Sequence, residues 1–106
     1  MTHTPTDIRA GNLDHIRQQL EQQLQERLDI LAALAPRALP SVDPVAYQTA
    51  ASNRMVLGQI SAALNRLDAG TYGLCIRCGG HIAPARLDVV PHAAACIDCQ
   101  SHADAG

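Results

Sequence analysis

Four cysteines near the end of the chain constrain its fold more than any other feature. They follow the spacing C-x2-C-x17-C-x2-C and are Cys75, Cys78, Cys96 and Cys99. Each pair can turn two thiolates toward one point, and two pairs complete a tetrahedral shell around Zn²⁺. Because a closed shell leaves no open coordination position, we expect one structural zinc ion and a protein that is not an enzyme.

The thiol chemistry depends on the compartment. The first residues lack a basic start followed by an apolar run, so they predict no signal peptide. No apolar stretch approaches the roughly 18 residues that a membrane span needs. We therefore expect a cytoplasmic protein without a membrane partner. In that compartment thiols stay reduced, which favours zinc over disulfides, iron or a redox role.

Size and composition limit the possible cores and partners. The chain has 106 residues, and its only aromatic residues are Tyr47 and Tyr72, so its core must be built from Leu, Ile, Val and Ala. The cysteine region is too short to bury a sufficient core without metal. The net charge is −2 and Lys is absent. A protein that binds nucleic acid needs a basic face to attract the phosphates, and this sequence supplies no obvious one. We therefore expect no binding to specific DNA.

A first helix is predicted over residues 4–35. Thr4 can cap it, with Pro5 at the first helical position and Asp7 in the first turn. Gly11 weakens that start, so the firm helix is expected from about Asn12. Apolar residues spaced by three and four positions form one continuous stripe. They are Leu13, Ile16, Leu20, Leu24, Leu28, Leu31 and Leu34.

A second helix is predicted over about residues 45–69, after a proline-rich connection. Asp43 is suited to cap it, with Pro44 as the first helical residue and Gly70 as the C-terminal cap. Its stripe is Ala46, Ala50, Asn53, Leu57, Ile60, Leu64 and Leu67. Asn53 has two interpretations, a partly exposed polar residue or a register-setting residue in the seam, and the first is favoured.

These elements predict a mainly α fold, an antiparallel helical hairpin (a coiled coil) with a small C-terminal four-cysteine zinc finger. The hairpin is expected over residues 1–70 with a tip loop at 36–44, and the finger with a short tail over 71–106. Within the finger, four apolar residues should pack under the metal or onto the helices. They are Ile82, Leu87, Val89 and Val90.

Several other residues of the finger could serve the metal site or could be ordinary loop and surface residues. Gly79 and Gly80 suit a metal knuckle, where backbone amides approach sulfur. His81 and His92 could act as ligands, but with four cysteines present we expect solvated loop histidines. Arg77 and Arg86 could offset the charge of a metal–thiolate cluster or be ordinary surface arginines, and the sequence favours neither.

The segment from Leu64 to Gln100 closely resembles the zinc-finger region of the DksA/TraR family. The shared elements are Gly-x-Tyr-Gly-x-Cys at 70–75, Cys-Gly-x-x-Ile at 78–82, Ala-Arg-Leu at 85–87, Pro91, and Cys-Ile-Asp-Cys-Gln at 96–100. The resemblance implies a transcription regulator that inserts its hairpin into the secondary channel of bacterial RNA polymerase and modulates initiation. Some members act with ppGpp, which adds ppGpp as a ligand at the shared interface.

The predicted hairpin tip departs from the family pattern. The family carries Asp-Pro-Val-Asp-x-Ala there, whereas this chain has Asp43-Pro44-Val45-Ala46-Tyr47-Gln48. Ala46 replaces the second acid and Gln48 replaces the alanine. The resemblance implies that Asp43, Ala46, Tyr47 and Gln48 contact the partner, although the cap role alone would also explain Asp43.

The altered tip also motivates a second hypothesis, a zinc-stabilised protein–protein adaptor with no direct effect on transcription. DNA binding through the finger and a thiol-redox activity are weaker alternatives, because the chain has no basic patch and zinc protects thiolates. We expect a monomer.

Overall fold

The computed structural model describes residues 10–105, with the side chains of residues 13–102. The predicted cap residues Thr4, Pro5 and Asp7 lie outside the described residues. Regular structure in the described part is helical, and one isolated antiparallel bridge joins Leu74 to His81. The elements are α1 (Ala10–Leu34), a 3-10 turn (Ala35–Arg37), α2 (Pro44–Ala69), α3 (Pro84–Val89) and α4 (Ile97–Ala105).

Local chemistry sets both ends of α2, as predicted. Asp43 is the N-cap, and its side chain accepts the N–H of Ala46 at 3.0 Å. Gly70 closes the helix in the left-handed conformation, with φ 79°. In that conformation the N–H of Gly70 reaches the carbonyl of Leu67 at 3.3 Å. A side chain at this φ would be strained, which explains why the helix ends on glycine.

Two polar contacts between the long helices show that they run antiparallel. Arg17 on α1 forms an ion pair with Asp68 on α2 at 2.8 Å. Further along α1, Nη1 of Arg27 donates to Oδ1 of Asn53 at 2.8 Å. Residue numbers thus rise on one helix as they fall on the other, which confirms the predicted hairpin.

Apolar packing is dense at the base of the hairpin and thins toward its tip. Leu20, Ile60 and Ala63 are almost completely buried, with 0%, 1% and 0% of their surface exposed. Farther along the predicted stripe, Leu28 is 42% exposed, so the stripe is not continuously buried. The 3-10 turn (Ala35–Arg37) and a loop connect the two helices at the tip. Small buried Ala46 and Ala50 let the helices approach closely near the tip.

The favoured interpretation of Asn53 as a partly exposed residue is wrong. Asn53 is only 6% exposed and lies in the seam. Its Oδ1 accepts from Arg27 on the facing helix, and its Nδ2 donates to the carbonyl of Thr49 at 2.8 Å. Burial is tolerated because the side chain satisfies its donor and its acceptor at once.

The core of the finger continues the core of the hairpin. Buried Tyr72, Ile82 and Leu87 belong to the same apolar cluster as Leu20 and Leu67. Val90 packs against this cluster, whereas Val89 is 80% exposed, which corrects the expectation that all four finger aliphatics would be packed. The finger is therefore attached to the hairpin base by packed side chains.

The hairpin gives the molecule its elongated shape. Its extents along the principal axes are 58, 33 and 21 Å. Among the helices described, none combines the length and the apolar character required to cross a bilayer.

Candidate metal centre and hairpin tip

The structure brings the four predicted metal ligands together. The Sγ atoms of Cys75, Cys78, Cys96 and Cys99 all lie within 4.8 Å of one another. The Sγ atoms of Cys78 and Cys96 are 4.0 Å apart, too far for the roughly 2.05 Å bond of a disulfide. A tetrahedral Zn²⁺ with bonds of about 2.3 Å would require sulfurs about 3.8 Å apart. The donor set and its spacing therefore fit one zinc ion.

Backbone amides shape the first cysteine knuckle. The N–H of Arg77 donates to Sγ of Cys75, and the N–H of Gly80 donates to Sγ of Cys78, each at 3.4 Å. Gly79 has φ 75°, and its N–H donates to the carbonyl of Cys75 at 2.9 Å. Glycine suits this positive φ, and the turn aims amides at both sulfurs.

The second knuckle lies at the start of α4. Cys96 directly precedes this helix, and Cys99 lies in its first turn. The carbonyl of Cys96 accepts the N–H of Gln100 at 2.9 Å. The N–H of Ile76 donates to the carbonyl of Ala94 at 2.9 Å. This hydrogen bond joins the first knuckle to the segment that directly precedes Cys96 of the second knuckle. Residues far apart in sequence are thus held together by backbone contacts as well.

Contacts within the sulfur cluster shift the pKa values of two of its thiols in opposite directions. Backbone amides, first that of Cys78 and then that of Cys96, lower the pKa of Cys75 to about 6. Shared contacts with the side chains of Cys96 and Cys75 raise the pKa of Cys99 to about 12. Metal binding requires the thiolate form of all four cysteines, so affinity should rise with pH.

The two finger histidines differ in environment. His81 is exposed, as expected of a loop histidine. His92 is half-buried, and its Nδ1 finds no hydrogen-bond partner among the residues that the structure describes. Burial lowers the pKa of His92, and the nearby charges of Arg27 and Arg66 lower it further. The expectation of a solvated loop is therefore wrong for His92, because its turn packs back onto the hairpin.

Three contacts that hold the finger loop were not apparent from the sequence. Tyr72 is buried, and its hydroxyl donates to the carbonyl of Pro91 at 2.8 Å. Nε of Arg86 donates to the carbonyl of Ala95 at 3.0 Å, directly before the second knuckle. Nη2 of Arg66 reaches the carbonyl of Ala93 at 3.4 Å. Two signals in the sequence point to Tyr72, the rarity of aromatic residues and its place in the Gly-x-Tyr-Gly-x-Cys element at 70–75.

The residues predicted for the hairpin tip do not form one surface. Ala46 is 4% exposed and faces the seam, whereas Tyr47 is 39% exposed and Gln48 is also exposed. Asp43 is engaged through both carboxylate oxygens. Oδ1 accepts the amide of Ala46, and Oδ2 lies 3.4 Å from Nε of Arg37. Asp43 therefore caps α2 and ties the loop to it.

Known proteins resemble the chain in both parts. Residues 70–104 match the prokaryotic DksA/TraR C4-type zinc finger. The RNA polymerase-binding transcription factor DksA of Haemophilus influenzae is 39% identical over 51 residues, covering 48% of this chain and 35% of that protein. The protein of the same name from Caulobacter vibrioides is 33% identical over 78 residues, covering 73% of this chain and 55% of its own length. The matched region thus spans little more than half, or less, of these relatives.

A solved structure shares the overall architecture. Transcription factor DksA2 from Pseudomonas aeruginosa superposes with a TM-score of 0.77 and 23% identity, covering 97% of this chain and 91% of that one. At this identity the likeness establishes the fold alone. The family match adds the type of the finger: residues 70–104 are a zinc finger of the prokaryotic DksA/TraR C4 type.

Proposed function

We propose that this protein is a transcription regulator that binds bacterial RNA polymerase by inserting its helical hairpin into the secondary channel and thereby modulates initiation. The observation that carries the proposal is the 33% identity to the Caulobacter vibrioides protein, which is named as RNA polymerase-binding. That match extends over 78 residues and so reaches beyond the finger into the hairpin. The elongated shape, 58 Å in its longest dimension, suits entry into a narrow channel.

The finger in this proposal is a structural clamp. One Zn²⁺ is held by Cys75, Cys78, Cys96 and Cys99, whose sulfurs already lie within 4.8 Å of one another. Bound zinc supplies folding free energy to residues 71–106, and residues 1–70 form the hairpin that reaches the partner. Four thiolates leave no position for a substrate, so the protein acts by binding and not as an enzyme.

The proposed partners follow from the same argument. The protein works as a cytoplasmic monomer on RNA polymerase, with ppGpp as a co-ligand at the shared interface. It makes no contact with specific DNA in this proposal, because a net charge of −2 gives no overall attraction to phosphates. Asp43, Ala46, Tyr47 and Gln48 remain predicted tip residues, with buried Ala46 supporting the tip from inside.

Binding to purified bacterial RNA polymerase tests the proposal. We expect the zinc-loaded protein to bind at micromolar concentration or tighter and to be displaced by another secondary-channel factor. A protein that binds polymerase outside the channel is the control competitor and should not displace it. No binding, or binding that only the control competitor displaces, would refute the proposal.

The alternative function is a zinc-stabilised adaptor with no direct transcriptional effect. The engagement of both carboxylate oxygens of Asp43 favours it, because this acid already has partners within the chain. Transcription in vitro from one repressed and one activated promoter, with and without ppGpp, separates the two functions. An adaptor would leave every transcript level unchanged at saturating protein.

A further inference from the structure

Residues 93–95 lead directly into Cys96 of the second knuckle, and we call them the approach segment. They belong to neither a helix nor a strand, so no regular ladder of hydrogen bonds satisfies their carbonyl groups. Ala93 and Ala95 are 6% and 4% exposed, so little water reaches them. A buried carbonyl without a donor is costly, and the donors that these groups find therefore fix the path of the chain into Cys96.

Each carbonyl of the approach segment accepts a hydrogen bond from a different part of the chain. For residues 93, 94 and 95 in turn, the donors are Nη2 of Arg66 on α2 at 3.4 Å, the N–H of Ile76 in the first knuckle at 2.9 Å, and Nε of Arg86 on α3 at 3.0 Å. The hairpin, the first knuckle and the finger helix thus hold the same three residues.

The contact of Arg86 lies next to the metal ligand. Helix α3 holds its backbone, since the N–H of Arg86 donates to the carbonyl of Ala83 at 3.0 Å and its carbonyl accepts the N–H of Val90 at 2.7 Å. The half-buried side chain then reaches the carbonyl of Ala95, which belongs to the peptide unit shared with Cys96. Any rotation of that peptide would move the Sγ atom of Cys96 away from the other sulfurs.

Arg66 makes the corresponding contact from the hairpin. Its side chain is half-buried, and its Nε has no hydrogen-bond partner among the residues that the structure describes. Nη2 is the atom that bonds the carbonyl of Ala93, at the longer distance of 3.4 Å. This arginine therefore joins α2 to the approach segment through a contact weaker than that of Arg86.

We propose that Arg86 and Arg66 are positioning residues of the metal centre, which hold the approach segment so that Cys96 lies with the other three sulfurs. Neither arginine touches the ion. The inference rests on the zinc site of the proposed function and does not depend on the polymerase. Because Arg66 belongs to the hairpin, the hairpin contributes to zinc affinity, and by linkage the bound ion strengthens the attachment of the finger to α2.

Zinc affinity of full-length variants, measured by competition with a chromogenic chelator, tests the inference. Arg86→Met removes the donor and keeps an apolar stem, and its Kd for zinc should rise about tenfold, as for other groups that orient a metal ligand. Arg66→Met should raise the Kd about threefold, because its contact is longer. Arg77→Met is the matched control, since it removes the same charge from an exposed side chain between Cys75 and Cys78.

Cobalt(II) in place of zinc separates positioning from a general loss of stability. Tetrahedral Co²⁺ held by four thiolates absorbs visible light, and its bands report the ligand geometry. At saturating cobalt, Arg86→Met should show shifted bands. Tyr72→Phe removes a hydrogen bond to Pro91 in the same loop and should keep the wild-type spectrum.

Equal zinc affinity of Arg86→Met and the wild type would overturn the inference and leave the zinc clamp intact. An equal loss in Arg77→Met would assign the effect to charge, and a weaker affinity with unchanged cobalt bands would assign it to stability, and either result overturns positioning. Should Arg86→Met not fold, the same comparison between Arg66→Met and Arg77→Met decides. A wild type that holds no zinc would refute the clamp itself, and this inference with it.

Discussion

Replacing Asn53 with alanine should destabilise the hairpin far more than the same change at an exposed site. Asn53 is 6% exposed, accepts from the guanidinium of Arg27 at 2.8 Å and donates to the carbonyl of Thr49 at 2.8 Å. A hydrogen bond to a charged group contributes about 1.5–3 kcal/mol, and a neutral one about 1 kcal/mol. Half-buried Arg27 can recover part of this from water, so we expect a net loss of about 2 kcal/mol.

Thermal unfolding followed by circular dichroism measures this loss. For a domain of this size a loss of about 2 kcal/mol lowers the melting temperature by roughly 10 °C. Asn65→Ala is the matched control, because Asn65 lies on the same helix and is exposed. Alanine has the higher helix propensity, which favours both variants equally. The difference between the two melting temperatures therefore isolates the buried contacts of Asn53.

A double-mutant cycle with Arg27→Met assigns the loss to the pair. We expect a coupling free energy of about 1–2 kcal/mol between the two sites, because one removes the partner of the other. A coupling below about 0.3 kcal/mol would refute the pairing. Equal melting temperatures for Asn53→Ala and Asn65→Ala would refute the larger claim that the seam depends on this polar contact.

Further predictions concern the finger and the helix end. A chelator should remove one zinc per chain and lower the melting temperature by more than about 10 °C, and an unchanged melt would contradict the clamp. Because the pKa of His92 lies below its unfolded value of 6.5, the unfolded chain takes up a proton first as the pH falls, and stability drops. His92→Gln should thus lose less stability than His81→Gln between about pH 7.5 and 5.5. Tyr72→Phe should cost about 1 kcal/mol in urea unfolding, since the carbonyl of Pro91 loses its buried donor. Gly70→Ala should cost about 1 kcal/mol, because φ is 79° there, and melting that matches the wild type would contradict this.

Local chemistry was enough to predict the ends of α2 and the metal ligands. Asp43 and Gly70 act on groups within four residues of themselves, so their roles follow from the sequence nearby. The cysteines were equally clear, because two short pairs with the right spacing suit one ion. The helix stripes located the seam for the same reason, since side chains three and four residues apart share a helix face.

The contacts that were missed join residues far apart in sequence. Asn53 is satisfied by Arg27, and Tyr72 is satisfied by Pro91, and neither partner can be inferred from neighbouring residues. His92 was misjudged because its burial depends on how the finger packs against the hairpin. Propensity and spacing describe one element at a time, and these residues act between elements.

The two ends of the molecule are fixed by different chemistry. At the base, the finger shares one apolar cluster with Leu20 and Leu67, so loss of zinc should loosen the helix ends that meet there. The tip of the hairpin is held by the two contacts of Asp43, with the N–H of Ala46 and with the side chain of Arg37, and both partners belong to the hairpin. Zinc should therefore govern how firmly the hairpin is mounted, while the shape of the tip, and with it the choice of partner, is set by residues of the hairpin itself.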